Sequence, residues 1–339
     1  MAKMRMNQAI AAAIAEEMRA DPDVVVFGED VAVAEGPFKT SAGLLEEFGA
    51  LRVRDTPISE MAFLGAGVGA ASTGLRPVVE IMFVEFLGVA IDQLSTQAAK
   101  FHYLSGGQVK VPLTVRASVG AGLGFGSQHS QTLESWLFTT PGLKVAVPSG
   151  PQSAYGLLRS AIRDDNPVVV LEPRVLYAGR DEVTTGDDSL IPLGTAATKA
   201  EGSDVTIVSL GAMVGTALDA AARDAGWSAD VIDLQTLIPY DKEALIASVR
   251  KTGRLVTVEE NPLTGGWGGE IVSFLTGEVF ADLKAPPLRI TCPDVPVPFG
   301  KELEQRYLPS ADYVADQIGG LVETSKLPRH WWEKEEVGK

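Results

Sequence analysis

Five stretches in the first half of the chain are apolar almost without a break: VVVF (24–27), RPVVEIMF (76–83), VPLTVRAS (111–118), LKVAVPSG (143–150) and PVVVLEP (167–173). A strand with one wet face alternates apolar and polar side chains. A strand that is apolar throughout needs cover on both faces, which is the situation inside a parallel sheet. Parallel neighbours also need long crossovers, usually helical. The intervening segments have that character: residues 6–19, the run ISEMAFLGAGVGAASTG (58–74), AIDQLSTQAAKFHYLSGG (90–107) and QSAYGLLRSAIRDDN (152–166). The pattern predicts an α/β fold in which helices flank a mostly parallel sheet.

At 339 residues the chain exceeds what one core usually serves. Residues 179–203 turn polar, small and charged, as a linker that carries at most a short strand would be. A second α/β pattern follows: DVTIVSLG (204–211), a helix near 213–225, SADVIDL (228–234), DKEALIASVRKT (241–252), RLVTVEE (254–260), a helix opened by TGGWGGE (264–270), LRITC (288–292) and a last helix at 310–323. The predicted organisation is a domain at 1–185, a linker at 186–203, a second α/β domain at 204–325 and a tail at 326–339 that holds two tryptophans.

Composition excludes several classes. A net charge of −15 argues against nucleic acid and against an anionic membrane surface. The single cysteine, Cys292, permits neither an internal disulfide nor a thiolate zinc cluster. The first residues imitate a transit peptide, but Glu16 and Glu17 are out of place in one. No stretch is long and apolar enough to span a bilayer, and a cytoplasmic protein is the expectation.

Gly65, Gly67 and Ala70 match the spacing of a dinucleotide-binding fingerprint. That fingerprint sits between a strand and a helix, whereas here the small residues lie inside a helical run with the strand after it. There is no G-x-S-x-G elbow and no H-E-x-x-H. Of the three histidines, His102 reads as a helix-surface residue and His330 as part of the tail. His129 stands apart: it ends the glycine-rich loop GAGLGFGSQHS, which follows the strand at 111–116. Loops after the C-terminal ends of parallel strands are where open α/β sheets bind ligands. Glycines let backbone approach a bound molecule, and an imidazole there can move protons near neutral pH. The alternative is a histidine that caps the next helix. Glu60 opens an apolar helix after TPIS, where a carboxylate is favourable on structural grounds alone.

Taken together, GEDV (28–31), DTPISEMAFLGAGVGAASTGLRPVVEIMFVEF (55–86), AIDQLSTQAAKFHYLSGG, QHSQTLESWLFTTPGLKVAVPS (128–149) and SAIRDDNPVVVLEP (160–173) resemble one family. It is the β subunit of the thiamine-diphosphate-dependent decarboxylase component of 2-oxo-acid dehydrogenase complexes, of the pyruvate, branched-chain and acetoin types. VTIVSLGAMVGTALDAA, KTGRLVTVEE and DVPVPF extend the resemblance over most of the second half.

The resemblance implies a transketolase-like pyrimidine-binding domain followed by a transketolase C-terminal-like domain. It implies that Glu60 contacts the aminopyrimidine ring of thiamine diphosphate and so promotes loss of the thiazolium proton, with Ile58 beside it in the same PISE motif. Phe86 matches the aromatic residue that packs on that ring, with a core phenylalanine as the alternative. His129 matches the active-site histidine that handles protons during acyl transfer to lipoamide. Glu29 matches an acidic residue of a proton path between paired sites. Leu113, Ala161, Ile162, Asp164 and Asn166 match a monovalent cation site, usually potassium; a structural turn at RDDNP is the alternative. The chain carries no G-D-G triplet, which in this family lies on an α subunit and holds Mg²⁺ with the cofactor's diphosphate. The implied partners are that α subunit in an α2β2 heterotetramer, a lipoyl acyltransferase core, and a 2-oxo acid substrate. Acetoin cleavage is the nearest rival activity; a non-catalytic scaffold subunit and a nicotinamide-dependent dehydrogenase are rivals from other classes.

Overall fold

The computed structural model describes residues 1–333 in two compact units. The first comprises Met1–Gly120, Trp136–Thr195 and Gln235–Pro239; the second comprises Ala121–Ser135, Ala196–Leu234 and the chain from Tyr240 onward. Residues 334–339, the end of the tail expected at 326–339, lie outside the described residues.

In the first unit the strands are β1 (Ala2–Arg5), β2 (Val24–Gly28), β3 (Val53–Asp55), β4 (Arg76–Ile81), β5 (Thr114–Val119), β6 (Lys144–Ala146), β7 (Val168–Pro173) and β8 (Arg180–Val183). Six of them form a parallel sheet in the order β6-β7-β5-β4-β2-β3. Every residue of β5 and β7 is buried, which is why those segments read as continuous apolar runs. β1 and β8 make a separate antiparallel ribbon. The helices are α1 (Met6–Ala20), α2 (Leu44–Phe48), α3 (Glu60–Ser72), α4 (Leu87–Asp92), α5 (Ala99–Leu104), α6 (Glu134–Phe138) and α7 (Pro151–Arg163); α6 straddles the boundary between the units.

On α1, Met6, Ala9, Ile10, Ala13, Ile14 and Met18 recur at helical spacing and all are buried. They pack with Tyr155, Leu158 and Ile162 of α7 over β2, β4 and β7. Each large aliphatic side chain so buried contributes about 1.5–3 kcal/mol. Arg159, also fully buried, ties the two helices through Glu17 at 2.7 Å. The glycine-containing run lies within α3, as its context in the sequence predicts, so it is no nucleotide loop. The predicted helix at 90–107 is a continuous run from Leu87 to Leu104 with a π-helical middle, closed by left-handed Gly106 and Gly107.

The second unit adds β9 (Ala197–Ala200), β10 (Val205–Ser209) and β11 (Ala229–Asp233). The next strand, β12 (Thr236–Ile238), belongs to the first unit, where it lies antiparallel to β6 at the sheet edge. Then follow β13 (Leu255–Pro262) and β14 (Leu288–Cys292), giving the order β14-β13-β10-β11-β9, parallel except for β9. Its helices are α8 (Met213–Ala221), α9 (Lys242–Thr252), α10 (Gly268–Val279), α11 (Lys301–Tyr307) and α12 (Ala311–Thr324). Strand alternation splits the faces. Val205 and Ile207 meet α8 and α12 in one core, whereas Thr206 reaches Ser248 and Thr252 of α9 through its hydroxyl. Both units are therefore α/β with mostly parallel sheets. The polar stretch read as a linker carries two strands, β8 and β9, each paired with a partner distant in sequence. Among the described residues no helix is long and apolar enough to cross a membrane.

Candidate active site

The parallel pairing of β2 with β3 sets Gly28 opposite Asp55, and the Thr56 amide donates to the Gly28 carbonyl at 2.9 Å. This register brings GED (28–30) and TPISE (56–60) to the same C-terminal end of the sheet. Gly28 is required by close approach: a Cβ there would lie 2.6 Å from the Glu80 carbonyl oxygen. Asp55 is taken up structurally, accepting from the amides of Ala32 and Val33 at 2.7 and 3.2 Å.

Glu29 follows β2 and Glu60 is the first residue of α3; each is only 8% exposed. Their carboxyl groups are hydrogen-bonded to one another, and among the described residues no Lys, Arg or His forms an ion pair with either. Burial, then the negative charges of Glu60 and Asp30, then the hydrogen bond itself push the Glu29 carboxyl up to about 7. Glu29 Oε1 is buried without a hydrogen-bond partner. A raised carboxyl set beside a second buried carboxyl is suited to holding and passing a proton at a bound group. Ile58, two residues before Glu60, leaves 84% of its surface exposed.

Phe86 lies on a 3₁₀ turn (Val84–Phe86) just beyond β4, half-buried. Its ring meets Phe83 edge to face at 5.8 Å between centroids, and Phe83 in turn meets Phe38 at 6.0 Å. The Arg174 guanidinium lies over Phe83 at 4.7 Å and donates to the Gly120 carbonyl at 2.8 Å. Phe86 is thus braced by an edge-to-face contact with the buried Phe83.

Below these ends, a charged group that sequence reading missed interrupts the apolar strands. Arg116 on β5, 1% exposed, donates to Glu80 at 2.7 Å and to both oxygens of Glu172 at 2.7 and 2.8 Å. Tyr177 donates to Glu172 at 2.8 Å and Thr40 to Glu80 at 3.2 Å. Burial raises the Glu172 carboxyl against the opposing pull of Arg116. Glu80 and Arg116 are register partners on adjacent strands, so the signal lay in two charges set at matching depth in apolar runs.

His129 lies in the second unit, on the segment Ala121–Ser135. It is half-buried, and its amide donates to the Gly126 carbonyl at 3.2 Å. α6 begins five residues further on, at Glu134, so His129 is not the cap of the next helix. The loop before it repeats left-handed glycine at every second residue: Gly120, Gly122, Gly124 and Gly126 have φ of 97°, 102°, 73° and 72°. Glu304 of α11 accepts from the Gly122 amide at 2.7 Å and from the Gly124 amide at 3.0 Å, while Glu260 accepts from Ala121 at 2.6 Å. Ser127 donates to the Val297 carbonyl at 2.7 Å, and Asn261 donates to Thr132 and Glu134. The other histidines are structural. His102 Nδ1 meets the Val109 carbonyl at 2.9 Å, and His330 stacks on Trp332 at 4.4 Å and bonds Tyr313 at 2.9 Å.

Of the residues matched to a cation site, Ile162 and Asp164 direct their carbonyl oxygens to the same nitrogen, Arg76 Nη1, at 3.1 Å each. The Asp164 carboxylate accepts from the Asn166 amide at 2.9 Å and from Lys144 at 2.5 Å. The Ala161 carbonyl accepts from the Asp164 amide and the Leu113 carbonyl from Val168. The carbonyls converge, but on a guanidinium, with a lysine beside them. Among the described residues no group of three His, Cys, Asp or Glu is placed to hold a metal ion.

The transketolase pyrimidine-binding domain family matches residues 2–180 and the transketolase C-terminal domain family residues 194–314. Fold and site together thus define a transketolase-like protein. The pyruvate dehydrogenase E1 component subunit beta of Rhizobium meliloti (strain 1021) is 46% identical over 320 residues, covering 94% of this chain and 70% of that one. The acetoin:2,6-dichlorophenolindophenol oxidoreductase subunit beta of Bacillus subtilis (strain 168) is 43% identical over 323 residues, covering 91% and 94%. A solved structure described as a split-gene transketolase, inactive beta4 tetramer, superposes with a TM-score of 0.75 at 26% identity, covering 95% and 98%. The chain belongs to the family of β subunits of the first, decarboxylating component of 2-oxo-acid dehydrogenase complexes. Membership implies thiamine diphosphate as cofactor and an α subunit as partner. The residues present fit the pyrimidine half of that cofactor: a buried carboxyl pair with no ion-paired cation among the described residues, and a half-buried aromatic ring at the same sheet end.

Proposed function

We propose that the chain acts with an α subunit to decarboxylate a 2-oxo acid and to acylate lipoamide reductively, pyruvate being the first substrate to test. The observation that carries this reading is the Glu29–Glu60 carboxyl pair, buried at the strand ends with the Glu29 carboxyl pushed up to about 7. When bound, thiamine diphosphate supplies the carbon nucleophile and the electron sink. Glu60 holds a proton at the pyrimidine ring nitrogen, and the rigid start of α3 fixes that carboxyl's direction. Glu29 keeps Glu60 supplied with a proton and isolates it from competing cations. Phe86, braced by Phe83, orients the ring, and Ile58 offers exposed apolar surface beside it. His129 moves protons at the oxygen of the acyl group as it leaves for the lipoyl sulfur.

In this reading the diphosphate and its Mg²⁺ belong to the α subunit, since this chain has no G-D-G. The pair assembles as α2β2 and docks on a lipoyl acyltransferase core. The converging carbonyls at Ile162 and Asp164, with Leu113, Ala161 and Asn166, are assigned to a monovalent cation that shares this corner with Arg76. A thermal midpoint of the assembly that is higher in KCl than in choline chloride at equal ionic strength supports that assignment; equal midpoints oppose it.

The test of function is reconstitution with an α subunit that carries G-D-G, assayed on pyruvate, branched-chain 2-oxo acids and acetoin, with lipoamide as acceptor. Acetoin is retained as the second reading because the Bacillus subtilis relative matches over nearly its full length. Turnover of a 2-oxo acid that is lost in Glu60→Gln supports the main reading. Turnover of acetoin alone selects the second, and no turnover with any substrate removes both.

A further inference from the structure

A chain that alternates right-handed residues with left-handed glycines turns successive amide N–H groups toward one concave side. Such a nest binds anions. In the loop of residues 120–126, positive φ recurs at Gly120, Gly122, Gly124 and Gly126, and the amides of Gly122 and Gly124 converge on one carboxylate. Leu123 and Phe125 between them expose 52% and 40% of their surface. In the glycine-rich loops that cradle phosphate, the anion comes from a ligand. Here it comes from the chain itself. The Glu304 carboxylate, 2% exposed, places Oε1 2.7 Å from the Gly122 nitrogen and Oε2 3.0 Å from the Gly124 nitrogen, with a further contact of 3.3 Å between Oε1 and Gly124. Among the described residues Glu304 forms no ion pair, so these amides are its compensation for burial. The loop is fastened at both ends of the nest: Ala121 donates to Glu260 at 2.6 Å, and Gly126 leaves no room for a Cβ, which would meet Phe299 at 2.9 Å. Three residues after Gly126 comes His129, whose amide bonds back to the Gly126 carbonyl.

We propose that Glu304 is a positioning residue: its carboxylate fills the amide nest and thereby sets where His129 is held. The proposal rests on the catalytic reading of His129 and extends it to a residue that touches no reacting atom. Charge-assisted bonds of this kind are roughly twice as strong as neutral ones, enough to choose one loop conformation among several. Without the carboxylate, the amides face one another's dipoles with no anion, and the loop moves to solvate them.

The experiment compares the reconstituted α/β enzyme with its Glu304→Ala, Glu304→Gln and His129→Ala variants. Three quantities are measured: kcat and KM for lipoamide acylation, amide hydrogen exchange over residues 120–129, and recovery by added formate, a carboxylate small enough for the vacated nest. For Glu304→Ala the expected result is faster exchange in that segment and a kcat lowered by roughly 10–100-fold, the cost typical of a misplaced catalytic group. KM for the 2-oxo acid stays within about threefold of the parent value, because the substrate's own contacts are untouched. Formate restores part of kcat and slows the exchange, which a merely structural defect would not show. Glu304→Gln, which keeps the shape and folds where alanine fails, lies between the two. Unchanged exchange over 120–129 overturns the proposal. So does faster exchange with unchanged kcat while His129→Ala is impaired. If His129→Ala itself keeps full activity, the histidine's catalytic role has failed, and the exchange data with formate still report whether Glu304 fills the nest.

Discussion

Two buried glutamates, one in each unit, are treated in opposite ways. In the second unit Glu259 on β13 is fully buried and fully answered. It accepts from Arg289 Nε and Nη2 at 2.9 and 3.0 Å, from the Thr257 hydroxyl at 2.8 Å and from the Gly268 amide at 2.8 Å. In the first unit Glu60 is almost as deeply buried, yet among the described residues it forms no ion pair and faces another carboxyl, Glu29. A buried carboxylate surrounded by donors stabilises the fold and has nothing left to offer a ligand. A buried carboxyl that faces only its own kind is costly to the fold and poised to exchange a proton. The difference marks where the molecule keeps its chemistry.

The comparison breaks first at Glu60. Glu60→Gln keeps the shape and removes the carboxylate, so the α/β enzyme is expected to lose activity by roughly 10²–10⁴-fold. Its melting temperature stays the same or rises, because a buried like-charge contact has been relieved. Steady-state kinetics beside calorimetry on the same preparation measure both. A variant that keeps more than a tenth of its activity would return Glu60 to the role of a helix-start carboxylate.

Glu259→Ala is the mirror image. It strands Arg289, which is largely buried, and costs about 3–5 kcal/mol of stability, as removal of one partner of a buried pair does. Activity per folded molecule is expected to stay near the parent value at temperatures well below the melt. Denaturant unfolding coupled to active-site titration separates the two. Loss of activity in the fully folded enzyme would mean that donor satisfaction does not distinguish structural from functional carboxylates here.

The backbone of this contrast was legible in the sequence, and its electrostatics were not. Uninterrupted apolar runs such as PVVVLEP reveal strands because both faces of a parallel sheet are covered. The order of helix and strand around Gly65 was enough to reject a nucleotide loop. Glu60 and His129 stood out by residue type and by position after strand ends. What was hidden depended on pairing across distance. Glu29 is coupled to Glu60 only because Gly28 aligns with Asp55. β8 looked like linker because its partner is at the very start of the chain. Glycine at every second residue from 120 to 126 was visible, but its anion, Glu304, lies some 180 residues further on in an unremarkable segment, KELEQRY. A nest is written locally; its occupant is not.

A smaller effect sharpens the carboxyl pair itself. Glu29 has a folded value of about 7 against an ordinary 4.5. The folded chain therefore holds more protons than the unfolded chain between those two pH values, and stability falls as pH rises through that window, then levels off. Glu29→Gln removes this fall. Relative to the parent it is expected to gain stability at pH 8 and almost nothing at pH 5, with solvent screening keeping the difference to the order of 1 kcal/mol. Thermal melts of the two proteins across pH 5–8 read it directly. Parallel curves would mean that the Glu29 carboxyl is not raised in the folded chain, against its coupling to Glu60.

A comparably small effect tests the second unit's side of the comparison, the satisfied carboxylate in the glycine nest. Gly124 has φ of 73°, and a Cβ there would meet nothing within 4 Å. Gly124→Ala thus adds no clash, only the strain of an L residue in left-handed backbone, about 1–2 kcal/mol. The amide still points at Glu304 if the loop accepts that strain, and turns away if it does not. Melting and the pattern of exchange together separate those outcomes. A loop held by the carboxylate keeps the Gly122 and residue-124 amides protected while global stability drops by the strain energy. A loop held chiefly by its glycines loses protection at both amides with little change in the melt. The first outcome is expected, because two short charge-assisted bonds outweigh one strained residue.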